Sequence, residues 1–125
     1  MKKWRALSLI ITTASVLAAC ASTPRANFYW GSYESSLFAY SKKPDRLPAY
    51  KKSLEDAVAR GRSKNMMAPG LLAELGYVYL EEGDTNKALA LFEEEMSRFP
   101  ESKTFMSTVI ERARSNAKTQ KAAAQ

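Results

Sequence analysis

Five positions in the second half of the chain constrain its fold more than any other feature. Small residues stand at Gly76 and Ala88, aromatic residues stand at Tyr79 and Phe92, and a proline stands at Pro100. Small residues allow two antiparallel helices to cross closely, and the two rings fill the space on either side of the crossing. Proline stops the second helix because it cannot continue the hydrogen-bond pattern. The spacing therefore predicts a helical hairpin that ends at Pro100.

Gly83 and Asp84 mark the turn between the two predicted helices. Glycine is favoured just after the last turn of a helix, and aspartate accepts hydrogen bonds from the unpaired amides that open the next one. The segment resembles a tetratricopeptide repeat, a 34-residue helical hairpin that opens W-x-x-L-G-x-x-Y, with Leu72 in the tryptophan position. One departure is Glu95, where the repeat usually has alanine. Glu95 belongs to an acidic run that is expected to be solvated. A glutamate in place of the usual alanine also predicts looser packing against the following segment.

A single repeat of this kind cannot bury its own faces, so further helices are expected on both sides. Upstream, the sequence predicts a helix over residues 33–42, an interruption at Pro44 and Asp45, and a helical apolar stripe between Leu47 and Arg60. Gly61 is expected to cap this second helix, and residues 62–65 are expected to form a polar loop. We interpret these two helices as a degenerate repeat.

Downstream of Pro100, a second apolar stripe with helical spacing predicts a capping helix, and it consists of Phe105, Met106, Val109, Ile110 and Ala113. Beyond Ser115 the composition becomes mostly Ala, Lys, Gln and Thr, which predicts a flexible tail over residues 115–125. We therefore predict an all-α domain of about five tetratricopeptide-repeat-like helices over residues 28–114. A helical bundle unrelated to the repeat is the alternative.

The N-terminus has the three parts of a secretory signal peptide. Three cations lie within the first five residues, and an apolar stretch over residues 6–19 follows, shorter than the roughly 20 residues that cross a bilayer. The sequence Leu17-Ala18-Ala19-Cys20 resembles a lipobox, at which lipoprotein signal peptidase cleaves. Cys20 is the only cysteine, and its thiol is the nucleophile that takes a diacylglyceryl group. We predict a signal peptide over residues 1–19, a lipidated Cys20 and a tether over residues 20–27.

The alternative for this segment is an ordinary signal peptide followed by an incidental cysteine. Position 21 predicts the destination of a lipoprotein, because aspartate after the cysteine mainly retains lipoproteins of Gram-negative bacteria in the inner membrane. Here the residue is Ala21. We therefore expect the protein in the inner leaflet of the outer membrane, facing the periplasm.

Charge and composition narrow the possible functions. The net charge is +6, but three of the positive charges lie in the predicted signal peptide, and the remaining +3 does not indicate nucleic-acid binding. The chain has no histidine, so the commonest general base and metal ligand are missing. With its single cysteine lipidated, neither a disulfide nor a thiolate zinc site is available. We predict no metal, no cofactor and no enzymatic activity. A carboxylate-dependent hydrolase is the third class, and no spacing of acidic residues predicts it.

The segment that follows the tether is rich in aromatic residues, with Phe28, Tyr29, Trp30 and Tyr33 within six positions. Our preferred interpretation is that these rings cover the open end of the helical core. The alternative is that they lie at the membrane interface, where Trp and Tyr are favoured.

Several short segments together resemble a family of small bacterial lipoproteins that is defined only as a domain of unknown function. The resemblance covers roughly residues 28–112 and is carried by Tyr29-Trp30-Gly31-Ser32-Tyr33-Glu34, Pro69-Gly70-Leu71, Ala73-Glu74-Leu75-Gly76-Tyr77 and Phe99-Pro100-Glu101-Ser102 with Phe105-Met106. Members are often encoded beside a lipoprotein similar to the curli secretion channel and a third small lipoprotein. The resemblance implies a shared envelope complex, and it implies no known activity or catalytic residue.

Our leading hypothesis for function is a lipid-anchored, non-enzymatic adaptor that binds another envelope protein. Tetratricopeptide repeats hold ligands along the inner face of the first helix of each pair, where this chain has Ala73, Tyr77, Leu80 and Glu81. Tyr77 would offer a rigid aromatic contact and Glu81 a charge. The alternative is that Tyr77 and Leu80 are buried against the preceding helix.

The second hypothesis is a structural envelope lipoprotein without a specific protein groove. Basic residues between Lys42 and Lys64 would then contact peptidoglycan or the phosphates of a membrane surface.

Overall fold

The computed structural model describes residues 27–123, and this part of the chain is all-α. Its five helices are α1 (Tyr33–Lys42), α2 (Leu47–Lys64), α3 (Leu71–Glu81), α4 (Thr85–Arg98) and α5 (Lys103–Ala123), with short 3-10 turns at Pro44–Arg46 and Pro100–Ser102. The predicted all-α fold of about five helices is confirmed. The predicted signal peptide and Cys20 lie outside the described residues, and the tetratricopeptide-repeat relationship stays a prediction.

Helices α3 and α4 form an antiparallel hairpin around a tight turn. Gly83 adopts a φ of +83°, a conformation that favours glycine. The Asp84 side chain accepts a hydrogen bond from the amide of Lys87 at 3.1 Å, which caps the start of α4. Both residues therefore have the places in the turn that the sequence predicts.

The two helices approach closely at the predicted crossing point. A Cβ atom added to Gly76 would lie 2.5 Å from Cε1 of Phe92, closer than real Cβ contacts occur. Phe92 itself is fully buried in the α4–α5 cluster, so its ring cannot swing out into solvent to make room. Only glycine therefore fits at position 76 without rearrangement of the hairpin.

The end of α2 lies four residues beyond its predicted position. The helix continues through the segment expected to be a loop and ends at Lys64, followed by Asn65 with a left-handed φ of +52°. Gly61 is buried inside the helix rather than at its cap, because the backbone of Met67 packs against it, and a Cβ atom added to Gly61 would lie 3.1 Å from Cα of Met67. The lack of a side chain at Gly61 is needed for this tertiary contact, so the glycine does not end the helix.

The last helix differs from its prediction at both ends. Phe105 was expected in the buried stripe but is 62% exposed, whereas Met106, Val109, Ile110 and Ala113 are buried. Phe105 precedes Met106 by about 100° around the helix, which turns its ring away from α4. The helix also runs to Ala123, so residues 115–123 of the predicted tail are helical, and their flexibility stays a prediction.

Two hydrophobic clusters build the core, and α3 contributes to both. The first joins α1, α2 and α3 and includes Tyr50, Leu54, Val58, Leu72 and Leu75. The second joins α4 and α5, with Ala73, Tyr79 and Leu80 of α3 packed against it, and includes Ala88, Phe92, Met106, Val109 and Ile110. Because α3 lies between the two clusters, it fixes the position of each half of the domain relative to the other.

The expectation of loose, solvated packing at Glu95 is wrong. The residue is only 3% exposed, and its Oε1 atom accepts a hydrogen bond of 2.7 Å from the amide of Gly70, at the start of α3. Within residues 27–123, the buried Oε2 atom has no hydrogen-bond partner. Burial raises the pKa of Glu95, and the amides of Gly70, Ala73 and Leu72 act in the opposite direction. Glu95 therefore holds the two helices of the hairpin together by capping α3 from the side of α4.

Among residues 27–123, no helix combines the length and the apolar character needed to cross a membrane.

Candidate binding surface

The structure divides the four predicted binding residues on α3 into two pairs. Ala73 and Leu80 are half-buried and pack against the α4–α5 cluster. Tyr77 is 42% exposed, and Glu81 is exposed one helical turn further along. The alternative in which Tyr77 and Leu80 are buried against the preceding helix is wrong, because α3 directs both of them away from α2.

The Tyr77 ring is held in place although it is exposed. It packs edge-on against the Phe92 ring, with 5.1 Å between the centroids and 61° between the planes. Phe92 is fully buried and cannot follow the motion of a surface side chain. The face that Tyr77 and Glu81 share thus presents one ordered ring and one carboxylate, and a partner loses little side-chain entropy by binding them.

A carboxylate site that the sequence does not reveal lies beside this face, at Glu74. The hydroxyl of Tyr33 in α1 donates to Oε2 of Glu74 at 2.6 Å, and the hydroxyl of Tyr50 in α2 donates to Oε1. Burial and the bond to Glu74 raise the pKa of Tyr33 to about 12, and the same two causes raise the pKa of Tyr50. Glu74 therefore joins three helices. No local pattern predicts it, because the partners lie 41 and 24 residues away along the chain.

On another side of α3, Tyr79 is engaged by charged residues from both neighbouring helices. Its hydroxyl donates to Oε1 of Glu55 at 2.7 Å, and this bond is the largest cause of the raised pKa of Tyr79. Lys51 and Lys87 place their ammonium groups 4.3 and 5.0 Å from the centre of the ring. Tyr79, Glu55 and Lys87 border a groove of about 270 Å³ between α2, α3 and α4. Since every polar group named here already has a partner, this groove is a structural seam of the domain.

A larger groove of about 790 Å³ runs between α4 and α5. Met96 and Ile110 supply its apolar part, and charged residues supply its rim. One of the rim pairs is an ion pair of 2.7 Å between Arg114 and Glu93. The groove is mixed in charge, so its chemistry does not select one class of occupant.

The basic residues between Lys42 and Lys64 do not form one continuous patch. Three of them make ion pairs, Lys51 with Glu82, Lys52 with Asp56 and Arg62 with Glu94. The others lie at the two ends of the α1–α2 pair. Lys42 lies over Phe38 at one end, whereas Arg60 and Lys64 lie over Tyr29 at the other. The cations that the second hypothesis needs are therefore fewer and more dispersed than the sequence suggests.

Across the described residues 27–123, no three His, Cys, Asp or Glu side chains come together in a group that could hold a metal ion.

The comparisons with known proteins give one match. A family model described as a domain of unknown function, DUF4810, matches residues 28–109, from the aromatic segment before α1 to the first part of α5. No curated protein and no solved structure matches the chain.

Proposed function

This protein belongs to the DUF4810 family, a domain of unknown function, and we propose that it is a lipid-anchored, non-enzymatic adaptor that binds another envelope protein through the exposed face of α3. In this proposal the lipid is attached at Cys20 and holds the domain at the inner leaflet of the outer membrane, facing the periplasm. The α3–α4 hairpin acts as a tetratricopeptide-like unit.

The lipid anchor is supported by the N-terminal sequence. The sole cysteine of the chain ends the sequence Leu17-Ala18-Ala19-Cys20, after a charged start and a short apolar stretch. Several acyl chains on one cysteine anchor a protein stably, whereas a single chain gives only marginal binding. Attachment at Cys20 would leave the whole helical domain free to bind a partner.

A non-enzymatic role is supported by the way in which the acidic residues are used. Without histidine, the acid–base groups considered first are carboxylates that converge in a pocket. The buried or half-buried carboxylates instead have structural partners. Glu74 accepts from two tyrosines, Glu55 accepts from Tyr79, and Glu95 caps α3.

The observation that carries the binding proposal is the ordered and exposed ring of Tyr77. Its edge contact with buried Phe92 fixes its position before any partner binds. Pre-ordered aromatic side chains contribute strongly to protein interfaces, because they bury a large area at a small entropic cost. Glu81, one turn away, would add a charge that selects a partner with a cation at this position. The partner we propose is an envelope lipoprotein similar to the curli secretion channel.

Co-purification from detergent-solubilised membranes tests the proposal. We expect wild-type protein to recover the channel-like lipoprotein, and a Tyr77→Ala, Glu81→Ala double variant to lose most of it. Tyr77→Phe keeps the ring and should retain binding. A Phe105→Ala, Glu111→Ala double variant removes an exposed ring and an exposed carboxylate from α5, and it serves as the control.

Circular dichroism shows whether the variants remain folded, which is expected because both changed side chains on α3 are partly or fully exposed. Recovery of the same lipoprotein by the Tyr77→Ala, Glu81→Ala variant would show that the α3 face is not the binding site. Absence of acyl chains on Cys20 in the mass spectrum of the purified protein would contradict the anchor.

The second candidate is a structural lipoprotein that contacts peptidoglycan through its basic residues. It is favoured by Lys43, Arg46, Arg60 and Lys64, which make no ion pair within residues 27–123. Sedimentation with purified murein sacculi distinguishes the candidates, since the adaptor should stay in the supernatant and a peptidoglycan-binding protein should not.

A further inference from the structure

We infer that the aromatic end of the domain, formed by Phe28, Tyr29 and Trp30 with Arg60 and Lys64, rests on the anionic lipid surface of the membrane that carries the anchor. The inference deepens the proposed function and rests on it, because attachment at Cys20 is what brings this end close to the lipid. It names the surface through which the anchored domain is oriented.

The aromatic end is fixed to the helical domain through its middle residue. The amide of Tyr29 donates to the carbonyl oxygen of Met66 at 2.7 Å, and Tyr29 forms an isolated parallel bridge with Met67. The Tyr29 side chain is half-buried. Its neighbours Phe28 and Trp30 are each 39% exposed. The sequence alternatives for this segment therefore apply to different residues, since Tyr33 packs against the α1–α2–α3 cluster whereas Phe28 and Trp30 are exposed at the surface.

Two cations lie over the Tyr29 ring, in the middle of this aromatic segment. Lys64 places its ammonium group 5.1 Å from the centre of the Tyr29 ring, and the guanidinium of Arg60 lies 6.0 Å from it. The two residues are one helical turn apart on α2 and thus share a face. Arg62, which lies between them in sequence, is turned away and pairs with Glu94. Tyr29 and Arg60 also line a small cavity, and among residues 27–123 its one carboxylate is Asp56, which pairs with Lys52.

This combination matches the chemistry of a phospholipid surface. Tryptophan is favoured at the level of the lipid headgroups, where its apolar ring and its N–H group both find suitable surroundings. Lysine and arginine near a membrane are attracted to anionic lipids. Trp30 also packs against Tyr33, with 5.5 Å between the ring centroids, so its ring is held at the edge of the domain.

The short stretch of chain between the proposed anchor and the aromatic end favours the membrane over other binding partners of this surface. Seven residues separate Cys20 from Phe28, and seven extended residues reach at most about 25 Å. The aromatic end therefore stays within that distance of the lipid-bearing cysteine. Phe38, Tyr77 and Phe105 lie further along the chain, so no short tether holds their exposed rings next to the anchor.

The chain offers two probes that make the inference testable. Trp4 and Trp30 are its two tryptophans, and Cys20 is its one cysteine. A protein that starts at Cys20 contains every residue that the structure describes, and Trp30 is its only tryptophan. Coupling its cysteine to a maleimide phospholipid anchors it in vesicles without any lipidation by the cell.

Trp30 fluorescence is then measured in vesicles of phosphatidylethanolamine and phosphatidylglycerol. We expect a blue shift on coupling and a loss of intensity when brominated lipids are included. The Arg60→Gln, Lys64→Gln variant should lose most of this quenching, as should the wild type in vesicles without anionic lipid. A Lys103→Gln, Lys118→Gln variant carries the same charge change on α5 and should behave like the wild type.

Three results would overturn the inference. One is Trp30 emission that brominated lipids do not quench while the protein is coupled, and another is equal quenching in the Arg60→Gln, Lys64→Gln variant. A blue shift that depends on protein concentration and occurs without vesicles would instead assign the surface to contacts between copies of the chain. Because the coupling is chemical, these results do not depend on whether Cys20 is lipidated in cells. Lipidation in cells belongs to the proposed function, and the mass of the protein purified from membranes tests it separately.

Discussion

The two helical hairpins of the domain, α1–α2 and α3–α4, bring their helices together in different ways. In α3–α4 the contact is apolar, because the face of α3 at Gly76 is filled by the buried ring of Phe92. In α1–α2 the hydroxyls of Ser36 and Ser53 hydrogen-bond to each other at the helix contact. One crossing thus depends on a close fit of volumes, and the other depends on a pair of polar groups.

The same contrast extends to the rings and carboxylates around each hairpin. Next to α1–α2, Tyr40 stacks on Tyr50 with 5.2 Å between the centroids, and Tyr50 donates to Glu74. In α3–α4 the buried carboxylate is Glu95, which bonds to a backbone amide. Polar contacts between side chains can be replaced by apolar groups at a small cost, whereas a filled apolar crossing tolerates neither a cavity nor an added atom. We therefore expect substitutions in α3–α4 to be the more destabilising.

The largest effect is expected from Phe92→Ala. The substitution leaves a cavity at a fully buried position and removes the support of Tyr77, so it should lower the free energy of unfolding by about 3–5 kcal/mol. Tyr40→Ala in the other hairpin removes a half-buried ring and should cost less. Urea denaturation followed by circular dichroism measures both values. An equal or larger loss for Tyr40→Ala would reverse the comparison.

A smaller effect is expected from Gly76→Ala. The added methyl group would meet the Phe92 ring at 2.5 Å, and such overpacking typically costs about 1–3 kcal/mol, although alanine favours the helix by about 1 kcal/mol. Phe92→Leu should make room for the methyl group. The double variant is then expected to lose less stability than the two single losses combined, as a double-mutant cycle measures. Simple additivity would show that positions 76 and 92 do not compete for space.

The smallest effect is expected from Glu95→Gln, and it depends on pH. Since burial raises the pKa of Glu95 in the folded protein, the folded state holds this proton more tightly than the unfolded state. This difference stabilises the folded protein. The stabilisation is fully present below the pKa that Glu95 has in the unfolded chain, and it is lost as the pH rises through the pKa of Glu95 in the folded protein. Glutamine cannot ionise, so the variant should lack this part of the pH dependence at acidic pH.

Thermal melting across this pH range tests the expectation, with Glu111→Gln as the control. Glu111 is exposed on α5 and makes no ion pair within residues 27–123, so this variant loses one carboxyl group while the slope assigned to Glu95 should remain. The same slope in Glu95→Gln as in the wild type would mean that Glu95 is not the group responsible.

The features that the sequence predicted well are local. Helix α1 has the predicted bounds, and Asp84 caps α4 as expected, because apolar spacing and capping depend on residues within a few positions of each other. The close crossing at Gly76 was also predictable, since a recurring motif combines a glycine with an aromatic residue at a fixed spacing.

The features that the sequence predicted wrongly depend on which residues pack against each other in the folded domain. Gly61 resembles a helix cap in sequence but is a contact for Met67, and Glu95 resembles a solvated residue but caps α3 from a neighbouring helix. The exposure of Phe105 likewise follows from the direction in which α4 packs on α5.

By itself, the sequence determined that this chain forms helices and where the central hairpin turns, and it predicts which residue carries a lipid. The tertiary structure alone decided that Tyr77 is an ordered surface ring, that Glu74 joins three helices, and that Phe28 and Trp30 are exposed beside Arg60 and Lys64. The physical reason is the range of the interactions. Helix formation and capping act between near neighbours in the chain, whereas burial and hydrogen bonding of a side chain depend on residues that only folding brings together.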